Sequence, residues 1–126
     1  METSDKGFYN KMIRERTLVM AIKVHDLIVS KKVDYINRSI IIQLIRSSSS
    51  VAANYRAATR GRSDAEFYSK VCIALEECDE TQFWIDYLTR LNVLNPLETQ
   101  DLLDEIEQLI RIFSAIKRKM KEKLRK

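Results

Sequence analysis

The chain has 126 residues, 45% of them apolar and 32% charged, with two glycines, one proline and a net charge of +4. That length suits one domain able to bury a core without disulfides or metals. So few glycines and prolines leave little to bound β-strands, and the class that remains is all-α.

The charge is uneven. The last ten residues, KRKMKEKLRK, hold seven Lys or Arg and one Glu, so the basic balance belongs to a tail at about 117–126, and the rest of the chain is slightly acidic. The opening METSDKGFYNKMIRERT has no apolar stretch of the signal-peptide kind. No run approaches the ~20 apolar residues of a membrane span. A cytoplasmic location without membrane contact is the expectation. Cys72 and Cys78 are six apart, so on a helix they diverge and cannot bridge, and they read as small hydrophobes.

The first helix is predicted from about Tyr9 to Ser30, with Ile13, Met20, Val24 and Leu27 on one face. A loop, SKKVDYINR, follows, with Tyr35 and Ile36 expected to tuck back onto the bundle. The second helix runs from about Asn37 to Arg60, capped by Asn37 or Ser39. Its stripe is Ile41, Leu44, Ile45, Val51, Ala52 and Tyr55, and Gly61 is expected to end it with φ > 0. The third helix opens on SDAE, a capping box of Ser63 and Glu66. Phe67, Val71, Ala74, Cys78, Thr81, Ile85 and Leu88 then keep a 4-3 spacing, a heptad seam that ends near Leu91. The fourth opens on NPLE, with Asn95 as cap, Pro96 in the first turn and Glu98 at the positive end of the dipole. Leu102, Ile106, Leu109, Phe113, Ile116 and Met120 repeat the seam. The predicted architecture is a single domain over 1–126, an antiparallel up-down-up-down four-helix bundle.

Four serines, Ser47 to Ser50, interrupt the second helix's apolar run. A linker would mix Gly with Ser and lack flanking periodicity. A serine nucleophile needs a base and an orienter, yet the only histidine is His25 and no G-x-S-x-G occurs. Packing is the remaining role: small side chains let a neighbouring helix approach, and Ser can return its hydroxyl to a carbonyl one turn back. Phe67, Tyr68, Phe83 and Trp84 are the bulky groups expected to fill that space. Asn54 needs partners for its amide if buried, and a carboxylate from EECDE is expected to supply one.

The stretch RSSSSVAANYRAATRGRSDAEFYSKVCIALEECDETQFWIDYL resembles a four-helix-bundle family named after a protein encoded in intervening sequences of bacterial 23S rRNA genes. The positions that carry the resemblance are Arg46, Ser48, Ser50, Ala53, Asn54, Tyr55, Ser63, Phe67, Lys70, Ile73, Ala74, Glu77, Glu80, Thr81 and Trp84. Many relatives carry a Glu soon after the Asn, where this chain has Ala57 and Ala58. The resemblance implies a small bacterial cytoplasmic protein, a ring-shaped homopentamer and no established catalytic activity. The accessory protein of diversity-generating retroelements is similar in fold and assembly at greater distance and works with nucleic acid, which makes RNA or DNA a partner by analogy.

Three functions compete. Nucleic-acid binding through phosphates would use Lys117, Arg118, Lys119, Lys121, Lys123, Arg125 and Lys126 of the tail with Arg60 and Arg62 of a turn. The bland counterpart is a solvated basic helix end that complements its own dipole. Phe8, Tyr9 and Tyr35 could stack on bases. A structural or adaptor oligomer with a protein partner would pair an acidic helix 3 (Glu76, Glu77, Asp79, Glu80, Asp86) with a basic helix 1 across subunits. Its counterpart is charge pairing inside one bundle. An enzyme or metal protein is disfavoured, because E-x-x-H and paired Cys/His spacings are missing; no catalytic residue, metal or cofactor is assigned. The polar cluster Arg46, Ser48, Ser50, Asn54, Glu77 and Glu80 is read as structural, setting helix register or a subunit interface, with Arg46 paired to Glu77 or Glu80.

Overall fold

The computed structural model describes residues 5–126, which form four helices: α1 (Asp5–Val29), α2 (Arg38–Thr59), α3 (Asp64–Arg90) and α4 (Pro96–Leu124). The fold is all-α. Contacts between neighbouring helices give their directions. Ser47 of α2 meets Thr81 of α3, while the turn residue Gly61 lies against Glu66. Cys78 of α3 meets Ile106 of α4, and Asp64 meets Lys123. Asn10 of α1 meets Tyr55 near the end of α2. Arg16 meets Glu105, and Lys31, just past α1, meets Glu98. Each pair is antiparallel, so the chain runs up, down, up, down.

One stripe per helix makes the core. It comprises Ile13, Thr17, Met20, Val24 and Ile28 on α1 and Leu44, Val51, Tyr55 and Ala58 on α2. Val71, Ala74, Cys78, Thr81, Ile85 and Leu88 add the α3 seam, and Leu102, Ile106, Leu109 and Phe113 that of α4. Spacings of three and four keep each stripe on one face, and burying it is the main stabilising term. The predicted seams of α3 and α4 hold as far as Phe113, with Phe67, Ile116 and Met120 half-buried at the end of the bundle. Tyr55 and Phe113 pack with their rings tilted by 40° and centroids 5.5 Å apart, and close the core at that end. Burial pushes the Tyr55 phenol above its ordinary pKa, and its hydroxyl donates to Asn10 Oδ1 at 3.2 Å. Cys78 is also buried, and its thiol is pushed up to about 12, so it is inert filling. Both cysteines are free, though Cys72 is only half-buried.

The helix ends differ from expectation in several places. α1 begins at Asp5, four residues earlier than its apolar pattern suggests. Asn37 stands at the α2 cap position but in a helical conformation with no capping bond; its own N–H is taken by Asp34 Oδ1 at 2.9 Å. Tyr35 and Ile36 do not tuck in, being 84% and 78% exposed. Gly61 does not have positive φ. Its constraint is space: a Cβ there would lie 3.1 Å from the Ala58 carbonyl oxygen and 3.2 Å from Glu66 Cβ. The left-handed residue is Asn92 instead, with φ 62°. Val93 N–H bonds the Leu88 carbonyl and Asn92 N–H that of Thr89, a Schellman end to α3. Ser63 caps α3 through the Glu66 N–H at 3.1 Å, but the Glu66 carboxylate passes Ser63 and takes the Arg62 N–H at 2.7 Å. The Asn95–Glu98 box at the start of α4 is complete. α4 carries the basic tail as its own last turns, to Leu124.

The serine run lies within α2. Ser47 and Ser48 are buried, and their hydroxyls donate to the Leu44 and Ile45 carbonyls, each at 3.2 Å. Ser49 returns to Ile45 at 2.9 Å. With so little side chain in the way, Thr81 Oγ1 comes within 3.0 Å of Ser47 Oγ. The aromatics of α3 do not fill this contact. Phe83 points to solvent, 54% exposed, while Phe67, Tyr68 and Trp84 are half-buried.

Candidate nucleic-acid interface and the polar cluster

The up-down topology gathers four chain segments at one end of the bundle: the start of α1, the end of α2, the α2–α3 turn and the last turns of α4. Lys119 and Lys123, spaced by four, share a face of α4, and Lys126 follows just past the helix end. They line a groove of about 890 Å³ with Lys6, Tyr9 and Asn10 of α1 and Phe67 of α3. Tyr9 is partly exposed there. Lys123 reaches Asp64 at 3.0 Å in an exposed pair of the kind that contributes little to stability and is readily exchanged for another anion.

The other predicted cations are dispersed. Lys117, Arg118, Lys121 and Arg125 belong to the same helix end but do not line this groove. Arg62 is exposed in the α2–α3 turn. Arg60 lines a second groove, between α1 and α2, of about 910 Å³. Lys11, Arg14 and Arg56 share that groove with Arg60, against a single carboxylate, Glu15. Sequence reasoning missed Lys6, Lys11, Arg14 and Arg56. The four-residue spacing of Arg56 and Arg60 on a helix without a carboxylate was the available signal. Of the three aromatics considered for stacking, Tyr9 alone lies in a basic groove, while Tyr35 is in the loop at the opposite end of the bundle.

The polar cluster divides in three. Arg46 bridges α2 to α3, donating to Glu77 Oε2 at 2.8 Å and to Glu80, with its Nε on Gln43 Oε1 at 3.1 Å. The Glu77 hydrogen bond is the main cause of an upward push on the Arg46 pKa. Trp84 adds its indole N–H to Glu80 Oε2 at 3.3 Å. Asn54 stays within its own helix: its amide donates to the Ser50 carbonyl and hydroxyl, both at 2.9 Å, and not to an α3 carboxylate. The reason is reach, since an amide one turn from Ser50 finds both acceptors without crossing to α3. Ser48 is bonded only to Ile45 of its own helix. Beneath Arg46, the Thr81 hydroxyl joins Ser47 Oγ and the Glu77 carbonyl, so Thr81 is a member the cluster lacked. No buried side-chain nitrogen or oxygen among the described residues is left unbonded. His25 is exposed beside Asp26. No helix of the described residues is long and apolar enough to cross a membrane.

The fold is similar to that of a protein of unknown function from the S23 ribosomal protein family of Bacteroides thetaiotaomicron. That crystal structure matches with TM-score 0.74 at 24% identity, covering 83% of this chain and 97% of the other. No curated protein matches the sequence. The family described as 23S rRNA-intervening sequence protein matches residues 11–115, which span all four helices. The chain belongs to that family.

Proposed function

We propose that this is a non-enzymatic, oligomeric helical bundle of the bacterial cytoplasm that binds RNA or DNA by its phosphate backbone, using the basic end of the bundle. The observation that carries the reading is the groove lined by Lys6, Lys119, Lys123 and Lys126 together with the partly exposed Tyr9, with Arg60 and Arg62 at the same end. Lysines on the side of a groove neutralise phosphates and release counterions, whatever the sequence. A tyrosine among them offers a π-face to an unpaired base. A homopentamer, implied by the family resemblance, would present five such ends together and multiply a weak single contact by effective concentration.

The test is binding of a labelled structured RNA and a duplex DNA across a salt series. Replacing Lys119, Lys123 and Lys126 by Ala should weaken binding and flatten the log–log salt slope by about 2–3. Replacing Lys32, Arg38 and Arg90, exposed cations of the other end, should change it little. Absence of binding at low salt, or equal losses from both triple variants, would refute the reading. The alternative, a structural adaptor that holds a protein partner, is favoured by the exposed aromatic side chains of α3 and gains ground in the first of those outcomes.

A further inference from the structure

α3 carries a second stripe opposite its core seam. Ile73, Glu76, Glu80, Phe83 and Tyr87 follow a 3-4-3-4 spacing, so they line one outward face. Phe83 and Tyr87 are 54% and 42% exposed. They are not loose: their rings lie 6.0 Å apart, and Trp84 packs on both, 4.8 Å from the Phe83 ring and 5.6 Å from that of Tyr87. Trp84 is in turn tied to Glu80, which Arg46 holds. A braced ridge of aromatics beside an arginine has the composition of an interface hot spot, with its ordering cost met before binding.

A counterpart lies elsewhere on the same molecule. The α1–α2 groove has a floor of Ala21, Ser49, Ala52 and Ala53 beside Leu18, which leaves room for rings. Its rim is Lys11, Arg14, Arg56 and Arg60. The charges are opposite: the groove is lined by four cations and one carboxylate, Glu15, whereas Glu76 and Asp79 lie exposed on α3.

We propose that the α3 ridge of one copy docks in the α1–α2 groove of a second copy, with Phe83 and Tyr87 on the alanine floor and the α3 carboxylates against the groove's cations. Ridge and groove are different patches, so the contact is head-to-tail and each copy offers one of each. This deepens the oligomer part of the proposed function by naming the surfaces that meet.

Sedimentation without nucleic acid tests it on three proteins: the unaltered chain, Ala53→Trp to fill the groove, and Phe83→Ala/Tyr87→Ala to remove the ridge. Helicity is checked by circular dichroism; Arg56→Glu/Arg60→Glu serves as groove variant if Ala53→Trp fails to fold. The unaltered chain should sediment well above 14.8 kDa and each variant close to that mass. An equimolar mixture of the two variants should form one-to-one pairs, because one intact groove and one intact ridge remain. An unaltered chain at the monomer mass overturns both the oligomer and the interface. Folded variants that keep the parent mass, or a mixture that stays monomeric, overturn the interface alone. Nucleic-acid binding is measured separately, so its failure cannot be confused with either.

Discussion

Glu98 shows how much one side chain can tie together. It completes the cap of α4 and, from the same carboxylate, reaches Lys31 at 2.6 Å to pin the α1–α2 loop to the far end of the bundle. The Lys31 hydrogen bond, then that of the Asn95 N–H, holds its carboxyl below the ordinary value of 4.5. A carboxyl with a depressed pKa in the folded state stabilises fully above the unfolded value and loses that contribution as pH falls through the folded one. Glu98→Gln should therefore cost about 1 kcal/mol at neutral pH and shrink the decline in stability below about pH 4.5. Urea unfolding at about pH 7 and about pH 3 reads both; an unchanged acid decline would show that the Lys31 contact has no energetic effect. The Asn95 cap was legible because Asn, Pro and Glu at fixed offsets have a local cause, although Glu98 was placed at the dipole and not as the second half of a box. The Lys31 partner was not, since it lies 67 residues away and depends on topology. Arg46 found the α3 partners anticipated for it, whereas the amide of Asn54 took nearer acceptors on its own helix.

At the scale of the element, periodicity carried the stripes and turn chemistry carried the ends unevenly. The heptad seams of α3 and α4 could be read directly, because burial selects three- and four-residue spacing. The α1 face was legible as well, with Ile13, Met20 and Val24 buried as predicted and Leu27 packed beside them, although Phe8, Met12, Leu18, Val19, Ile22 and Val29 are exposed around its outer side. The end of α3 was misread: a glycine at the end of α2 drew the expectation of positive φ that Asn92 fulfils. Asn tolerates this conformation, whereas a β-branched side chain suffers the full clash of Cβ with the carbonyl. Asn92→Val should lower stability by about 1–2 kcal/mol. Asn92→Gly should leave it level or slightly higher, since Gly adopts that φ without strain. Thermal melts of the two variants decide the point; equal losses would mean that the Asn92 side chain matters more than its backbone.

Over the whole molecule, a linear pattern of charge becomes a spatial one. The basic tail was evident as a sequence run, but only the fold sets it beside Lys6 and Tyr9. It also separates Arg60, in a different groove, from the tail with which it was grouped. The residues of a surface site come from segments joined by topology, and no local signal marks them in advance.

The order of packing has a further consequence. Each helix lies chiefly against its neighbours in the chain. α2 packs most extensively on α3, through a four-residue turn, RGRS, while α1 and α4 touch least. Contacts that close short loops form first, so the α2–α3 hairpin is the natural folding nucleus, and rapid, low-contact-order folding follows. α1, tied to α4 by the Arg16–Glu105 pair and, just past its end, by Lys31–Glu98, is the segment expected to open before global unfolding. Its amides should exchange with deuterium sooner than those of α2 and α3; equal protection would mean that the bundle opens only as one unit. A bundle whose seam opens at α1 can release and re-engage its first helix while the α2–α3 hairpin stays folded.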